Sequence, residues 1–183
     1  MQIVITLPYF IPGEVDAIVR LFDERGIDRL HIRKPEASAS DVAALIAAIP
    51  ARYYGRISIH DHHALAARFS LGGIHLNGRH PEAPSDWQGM VSTSCHSLDE
   101  LRLKRQAMVN GRPYAYLSLS PIFDSISKQG YHSAFTAEAL AKARAAGIID
   151  DRVLALGGVS FDRLPEVYKM GFGGAMILGD AWR

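Results

Sequence analysis

Cysteine is all but missing from this chain: Cys95 stands alone among 183 residues. A single thiol excludes an internal disulfide and fits a reducing, cytoplasmic setting. Long apolar runs are missing too, so no segment is expected to span a membrane, and the opening MQIVITLPYF is too short and too poor in charge for a secretory signal. Basic runs and low-complexity segments are absent, and the formal net charge is only +1. Nothing therefore predicts nucleic acid or an acidic membrane surface as a partner. What remains is the balance of an ordinary soluble globular protein, 48% hydrophobic and 21% charged, long enough for one domain over 1–183 and cramped for two. None of these absences identifies a function.

What is present is an alternation. Short β-type runs stand at 2–7 (QIVITL), 29–34 (RLHIRK), 56–60 (RISIH), 73–76 (GIHL), 91–94 (VSTS), 114–120 (YAYLSLS), 152–156 (RVLAL) and 174–178 (GAMIL). Amphipathic stretches separate most of them, at 41–49, 98–105, 136–146 and 161–170; Ser97 and Ser160 precede two of these as N-cap residues. Glycines in RGI, SLGG, AAGI and MGF fall where a helix should stop before the next strand. Eight strands with intervening helices predict parallel βαβ units. An open doubly wound sheet would carry five or six strands and a Gly-rich turn after the first, whereas PYFIPGE follows here. The pattern predicts a compact (β/α)8 TIM barrel, although such barrels typically take ~250 residues. The sequence ends a few residues after the eighth strand, so the last helix is lacking. A truncated chain would account for that, as would a homodimer whose second subunit covers the outside of strand 8.

Polar residues fall on one parity of these strands. His31 and Arg33 oppose Leu30 and Ile32, and Ser58 and His60 oppose Ile57 and Ile59. His75 with Asn77, Ser92 with Ser94 and His96, and Tyr116 with Ser118 and Ser120 continue the pattern. Alternate residues share a face of a strand, so five strands predict a polar interior toward the barrel's C-terminal mouth, where barrel enzymes place their active sites. Cys95 beside His96 looks like a Cys–His pair, but strand neighbours point to opposite faces and the thiol reads as structural. The stretch HDHH, 60–63, marks the top of the third strand; His60 and Asp61 are candidate site residues, while His62 and His63 read as solvated caps of the next helix.

Three stretches suit anions. LALGGVSFD carries Gly157 and Gly158 into a helix start, where backbone N–H groups and the helix N-terminus favour phosphate. Gly179 ends the eighth strand, and barrels often bind phosphate between the loops after strands 7 and 8. SPIFDSISKQG offers Ser125, Ser127 and Lys128.

The segments LHIRK, SIHDHHALA, GIHLNGRH, STSCHS, SPIFDSISK, LALGGVS and GFGGAMILG occur in an order that resembles the thiamine phosphate synthase/TenI family over nearly the whole chain. The resemblance implies a (β/α)8 barrel that joins hydroxymethylpyrimidine diphosphate to thiazole phosphate, releasing pyrophosphate with Mg2+. It implies Arg33 as a diphosphate clamp, with Lys34 adding charge if the backbone turns it inward, since Pro35 stands where the family has lysine. His31 and His60 replace a glutamine and an asparagine of the pyrimidine site. Asp61 matches one metal ligand, and the second falls on His80, an exchange that suits Mn2+ or Zn2+ better than Mg2+. Ser94 matches a diphosphate contact. Ser125, Ser127 and Lys128, with Gly157, Gly158 and Gly179, match the phosphate pocket. Arg33, Ser94 and Lys128 would carry catalysis by stabilising the leaving pyrophosphate. The altered metal end leaves open a TenI-like thiazole tautomerase, in which Pro121 occupies the expected histidine's place and His96 or His31 would be the base. A non-catalytic binder of thiazole or thiamine phosphates also fits, and further off lies a Zn2+ hydrolase built on His60 and His62.

Overall fold

The computed structural model describes residues 1–124 and 135–183. Eight parallel strands close into a barrel: β1 (Gln2–Ile5), β2 (Arg29–Ile32), β3 (Ile57–Ile59), β4 (Gly73–Leu76), β5 (Met90–Cys95), β6 (Tyr116–Leu119), β7 (Val153–Leu156) and β8 (Gly174–Ile177). Each strand pairs with its sequence neighbours in this series, and β8 closes on β1 through Ile3 opposite Met176. The eightfold alternation of the sequence is thus the architecture. Around the strands run α1 (Glu14–Asp23), α2 (Ala39–Ala48), α3 (Ala64–Arg68), α4 (Leu98–Gln106), α5 (Ala137–Ala145) and α6 (Leu164–Lys169).

Local chemistry sets the helix starts. Ser38, Ser97 and Thr136 each accept a hydrogen bond from the amide three residues on, which satisfies a free N–H of the first turn. The stretch 161–170 is two pieces, a 3-10 turn (Phe161–Arg163) followed by α6. Pro165 sits in the first turn of α6, where its missing N–H costs nothing. A two-stranded antiparallel hairpin, Met108–Val109 with Arg112–Pro113, adds to the barrel before β6. Asn110 and Gly111 both take positive φ at its tip, 49° and 76°, the backbone of the tight turn that an Asn-Gly pair favours.

Among the described residues two apolar clusters result. The larger lies between strands and helices and includes Ile57, Ile59, Val153 and Ile177. The smaller, Ile3, Ile5, Tyr116, Leu154 and Met176, fills the interior beside β1, β7 and β8. The outward residues of β8, Ala175 and Ile177, have 0% of their surface exposed within this one chain. Strand 8 therefore needs no second subunit to cover it: Phe172, Val167 and Leu164 belong to the same cluster, and Ala181 and Trp182 pack against it. Cys95 lies in this outer core, and burial pushes its thiol up to about 12, which fits a structural role. Among the described residues, no helix is long and apolar enough to cross a membrane.

Candidate active site

At the C-terminal ends of the strands the barrel opens into a cavity of about 750 Å³. Its walls differ in character. Ile5, Leu156, Met176 and Leu178 present an apolar side, and His60, His75 and Ser94 a polar one. Arg33, Arg79, Lys104 and Arg183 bring positive charge to the lining, against Glu100 and Asp180.

Below the cavity the polar parity of β2 to β6 becomes a hydrogen-bonded interior. His31 Nε2 lies 2.6 Å from the Tyr116 hydroxyl, a bond between β2 and β6 that runs across the barrel. His31 Nδ1 lies 2.9 Å from His60 Nε2. His75 stands between two serines, Nδ1 2.9 Å from Ser92 Oγ and Nε2 3.1 Å from Ser94 Oγ, and Ser118 donates to Ser94 at 2.8 Å. Arg29 donates to Ser58 at 3.1 Å at the lower end. A neutral imidazole donates through one nitrogen and accepts through the other, so these bonds need no charge on the histidines. Burial, chiefly, holds His31 and His60 well below the usual histidine range, with neighbouring His75 adding to it. His75 is lowered to about 3, again by burial first and then by His63 and Arg33.

Six of the residues singled out in the sequence meet on the cavity: Arg33, His60, Ser94, Gly157, Gly158 and Gly179. Arg33 is set there by Thr6, whose hydroxyl accepts from the Arg33 N–H at 2.9 Å and donates to the Arg33 carbonyl at 3.3 Å. His31 lies beneath, fully buried. Lys34 goes elsewhere. It is 1% exposed, and its ammonium donates to the Glu14 carboxylate and the Tyr9 carbonyl, both at 2.6 Å. The backbone does not turn it inward: it keeps the outward parity of Leu30 and Ile32, so it does not line the cavity. Ser125, Ser127 and Lys128 lie outside the described residues.

Asp61 and His80 are brought together, with Nε2 3.5 Å from Oδ1, and Arg79 lies between them in sequence and effect. Its Nε and Nη2 donate to the same Oδ1 at 3.0 and 2.7 Å. Asn77 builds this corner: its amide donates to the His60 carbonyl, and its oxygen accepts from the N–H groups of Arg79 and His80. Asp61 Oδ2 and His63 Nε2 are buried with no hydrogen-bond partner among the described residues. His63 does take the cap position before α3, but it makes no side-chain capping bond and is not solvated, and His62 is half-buried. His62 Nε2 bonds the Ala37 carbonyl at 2.8 Å, and His63 is buried with its ring 5.4 Å from that of His80.

The loop after β7 is shaped by its glycines. Gly157 and Gly158 have φ of +90° and +65°, and a Cβ on Gly158 would come within 2.3 Å of the Asp124 carbonyl oxygen. The loop before it is tied on by Ile122 N–H to Leu156 O and Phe123 N–H to Gly157 O. Arg163 covers the Phe123 ring at 3.9 Å. Past the glycines, the Phe161 N–H donates to the Asp180 carboxylate at 3.0 Å, so the helix start already faces an anionic group of the protein. Arg79, His75, Tyr116 and Asp180 were not singled out as site residues in the sequence. His75 and Tyr116 carried the parity signal, and Arg79 and Asp180 lie past strand ends, where no period reaches.

Similarity to known proteins agrees with this geometry. A family model described as thiamine monophosphate synthase matches residues 5–179. A thiamine-phosphate synthase of Serratia proteamaculans (strain 568) is 29% identical over 179 residues, covering 93% of this chain and 81% of that protein. A solved structure of thiamine phosphate pyrophosphorylase from Bacteroides thetaiotaomicron superposes with a TM-score of 0.86 at 44% identity, covering 99% of this chain and 84% of that one. A thiamine phosphate pyrophosphorylase from Pyrococcus furiosus superposes with a TM-score of 0.72 at 21% identity, over 97% and 84% of the two chains. At that identity the likeness speaks for the fold alone.

Proposed function

The chain belongs to the thiamine monophosphate synthase family, and on that premise we propose that it condenses hydroxymethylpyrimidine diphosphate with thiazole phosphate to thiamine phosphate and pyrophosphate. The observation that carries this reading is the meeting of Arg33, Ser94 and the Gly157–Gly158 loop on one cavity with an apolar wall. A cavity of that size and mixed lining suits two small heterocycles whose phosphates reach a cationic rim. In the reaction the pyrimidine's methylene C–O bond breaks, pyrophosphate leaves, and the thiazole nitrogen forms the new C–N bond. Arg33 and Ser94, together with Lys128, would stabilise the charge growing on the leaving group. Gly157, Gly158 and Gly179 would let the thiazole phosphate approach backbone N–H groups. His31 and His60 would bound the pyrimidine side. The setting for such chemistry is the cytoplasm, and small phosphorylated molecules are the partners; a homodimer has no specific support in the covered β8.

Mg2+ is implied by the family resemblance, which sets it at Asp61 and His80. Mg2+ takes oxygen ligands in near-octahedral geometry. Here the protein offers one buried carboxylate oxygen, Asp61 Oδ2, while Oδ1 is held by Arg79 and the third neighbour is an imidazole. That donor set does not fit Mg2+, and Mn2+ or Zn2+ would suit its nitrogen better.

One observation supports a second reading. His96 is exposed on the cavity, with Nδ1 3.2 Å from Ser120 Oγ, where a base for thiazole tautomerisation could stand. One assay separates the two. Purified protein with both substrates and Mg2+, Mn2+ or Zn2+ should form thiamine phosphate, and Arg33→Ala or Lys128→Ala should abolish turnover with the fold intact. Tautomerisation without condensation would overturn the synthase reading.

A further inference from the structure

We propose that His31, His60 and His75 form a three-imidazole site for one zinc-type divalent transition-metal ion at the floor of the cavity. His31 and His75 stand on β2 and β4 and His60 directly follows β3, three neighbours in the barrel, and all are buried. Their candidate ligand nitrogens lie within 4.8 Å of one another. A tetrahedral zinc with Zn–N bonds of about 2.0–2.1 Å sets its ligand nitrogens roughly 3.4 Å apart. The observed spread, from 2.9 Å for His31 and His60 up to that limit, brackets this spacing.

The surroundings fit ligation as well. Metal-bound histidines normally have the second ring nitrogen held by an outer partner that fixes ring and tautomer. Tyr116 holds His31 Nε2, and Ser92 and Ser94 flank His75. Binding requires no net loss of protons: His31 keeps its N–H on the Tyr116 oxygen, His60 moves its own from Nε2 to Nδ1 as the His31–His60 bond gives way, His75 gives its N–H to one serine, and the freed nitrogens take the ion. One movement is needed. The rings of His60 and His75 are stacked at 4.2 Å, whereas His31 stands 5.1 and 5.2 Å from them. Rotation of His60 opens the stacked pair.

Barrel interiors are ordinarily packed with branched apolar side chains. Three imidazoles at this depth are a departure that ligation would explain. Nitrogen donors select zinc-like ions over Mg2+. Because His60 and His75 also line the cavity, the fourth position would face the substrate space, as in zinc sites that keep one open place. The site is separate from the Asp61–Arg79–His80 corner at the rim.

The test uses tag-free full-length protein, stripped with a chelator and reloaded with Zn2+ or Co2+. One equivalent of zinc per chain should survive gel filtration, and Co2+ should give the intense visible absorption of a four-coordinate ion. His31→Asn and His75→Asn should each weaken zinc binding by at least about tenfold. Should the interior variants fail to fold, the imidazole 15N shifts of the wild-type protein decide. Shifts at His31, His60 and His75 together on one equivalent of zinc support the site. Shifts confined to other histidines, or folded protein that holds zinc no better than Mg2+, would overturn it.

Discussion

The ammonium of Lys34 and the carboxylate of Glu14 meet at 2.6 Å, each almost wholly buried. Phe10 covers the same ammonium at 4.8 Å. Removing one member of such a pair strands the other charge without water, whereas replacing both with apolar groups can be nearly neutral. Lys34→Ala should therefore destabilise the fold by about 3–5 kcal/mol in denaturant unfolding. Lys34→Met with Glu14→Leu should recover most of that loss. Turnover per folded molecule should change little in either variant, and a selective loss of activity in a stable Lys34 variant would restore it to the site.

Arg79 is the cation poised over the corner formed by Asp61 and His80. Two of its nitrogens bond Asp61 Oδ1, and the side chain is half exposed on the cavity. A guanidinium so anchored can still offer donors to a diphosphate. Arg79→Ala should weaken pyrophosphate binding by about tenfold, on the order of one charge-assisted hydrogen bond, in calorimetry run with and without Mg2+. Unchanged affinity under both conditions would remove Arg79 from substrate binding.

The barrel was legible because the chain repeats one signal eight times, and side-chain parity correctly placed His31, Ser58, His75, Ser94 and Tyr116 in a hydrogen-bonded interior. Legibility failed where that period stops. Lys34 follows β2 with outward parity, and reading it as a substrate contact required a turn that the backbone does not make. Arg79 is positioned by the Asn77 side chain, a tertiary detail with no sequence period. The hairpin before β6 did carry a signal, the Asn110–Gly111 pair, but its strands of two residues are too short for an alternation to register. His63 caps α3 as expected but is buried, and His62 is half-buried, because both meet neighbours distant in sequence, His80 and Ala37.

Gly158 has both a left-handed backbone and no room. At φ +65°, an added Cβ would meet the Asp124 carbonyl oxygen at 2.3 Å and Phe123 at 2.8 Å. Gly158→Ala must move the loop off its neighbour, at a cost of about 1–3 kcal/mol for a strained residue. The thermal midpoint should fall, and thiazole phosphate binding should fall with it if this loop holds the phosphate. Lost stability with undiminished binding would separate the loop from the ligand.

The buried histidines make stability depend on acid. His31, His60 and His75 are all depressed in the fold, His75 to about 3, while in the unfolded chain each titrates near 6.5. Between those values the unfolded chain binds protons that the folded one refuses, so unfolding is favoured as pH falls. The stabilisation is complete above about pH 6.5 and is lost progressively as pH falls, for His75 toward pH 3, at ~1.4 kcal/mol per pH unit for each histidine that stays neutral. Urea unfolding of metal-free protein between pH 7.5 and 5, on the order of physiological values, should show stability falling with a slope above one proton. His75→Asn should lower that slope by about one proton, whatever it does to stability at pH 7. A flat profile in the wild-type protein would mean that these imidazoles are reached by water and protonate in the folded state.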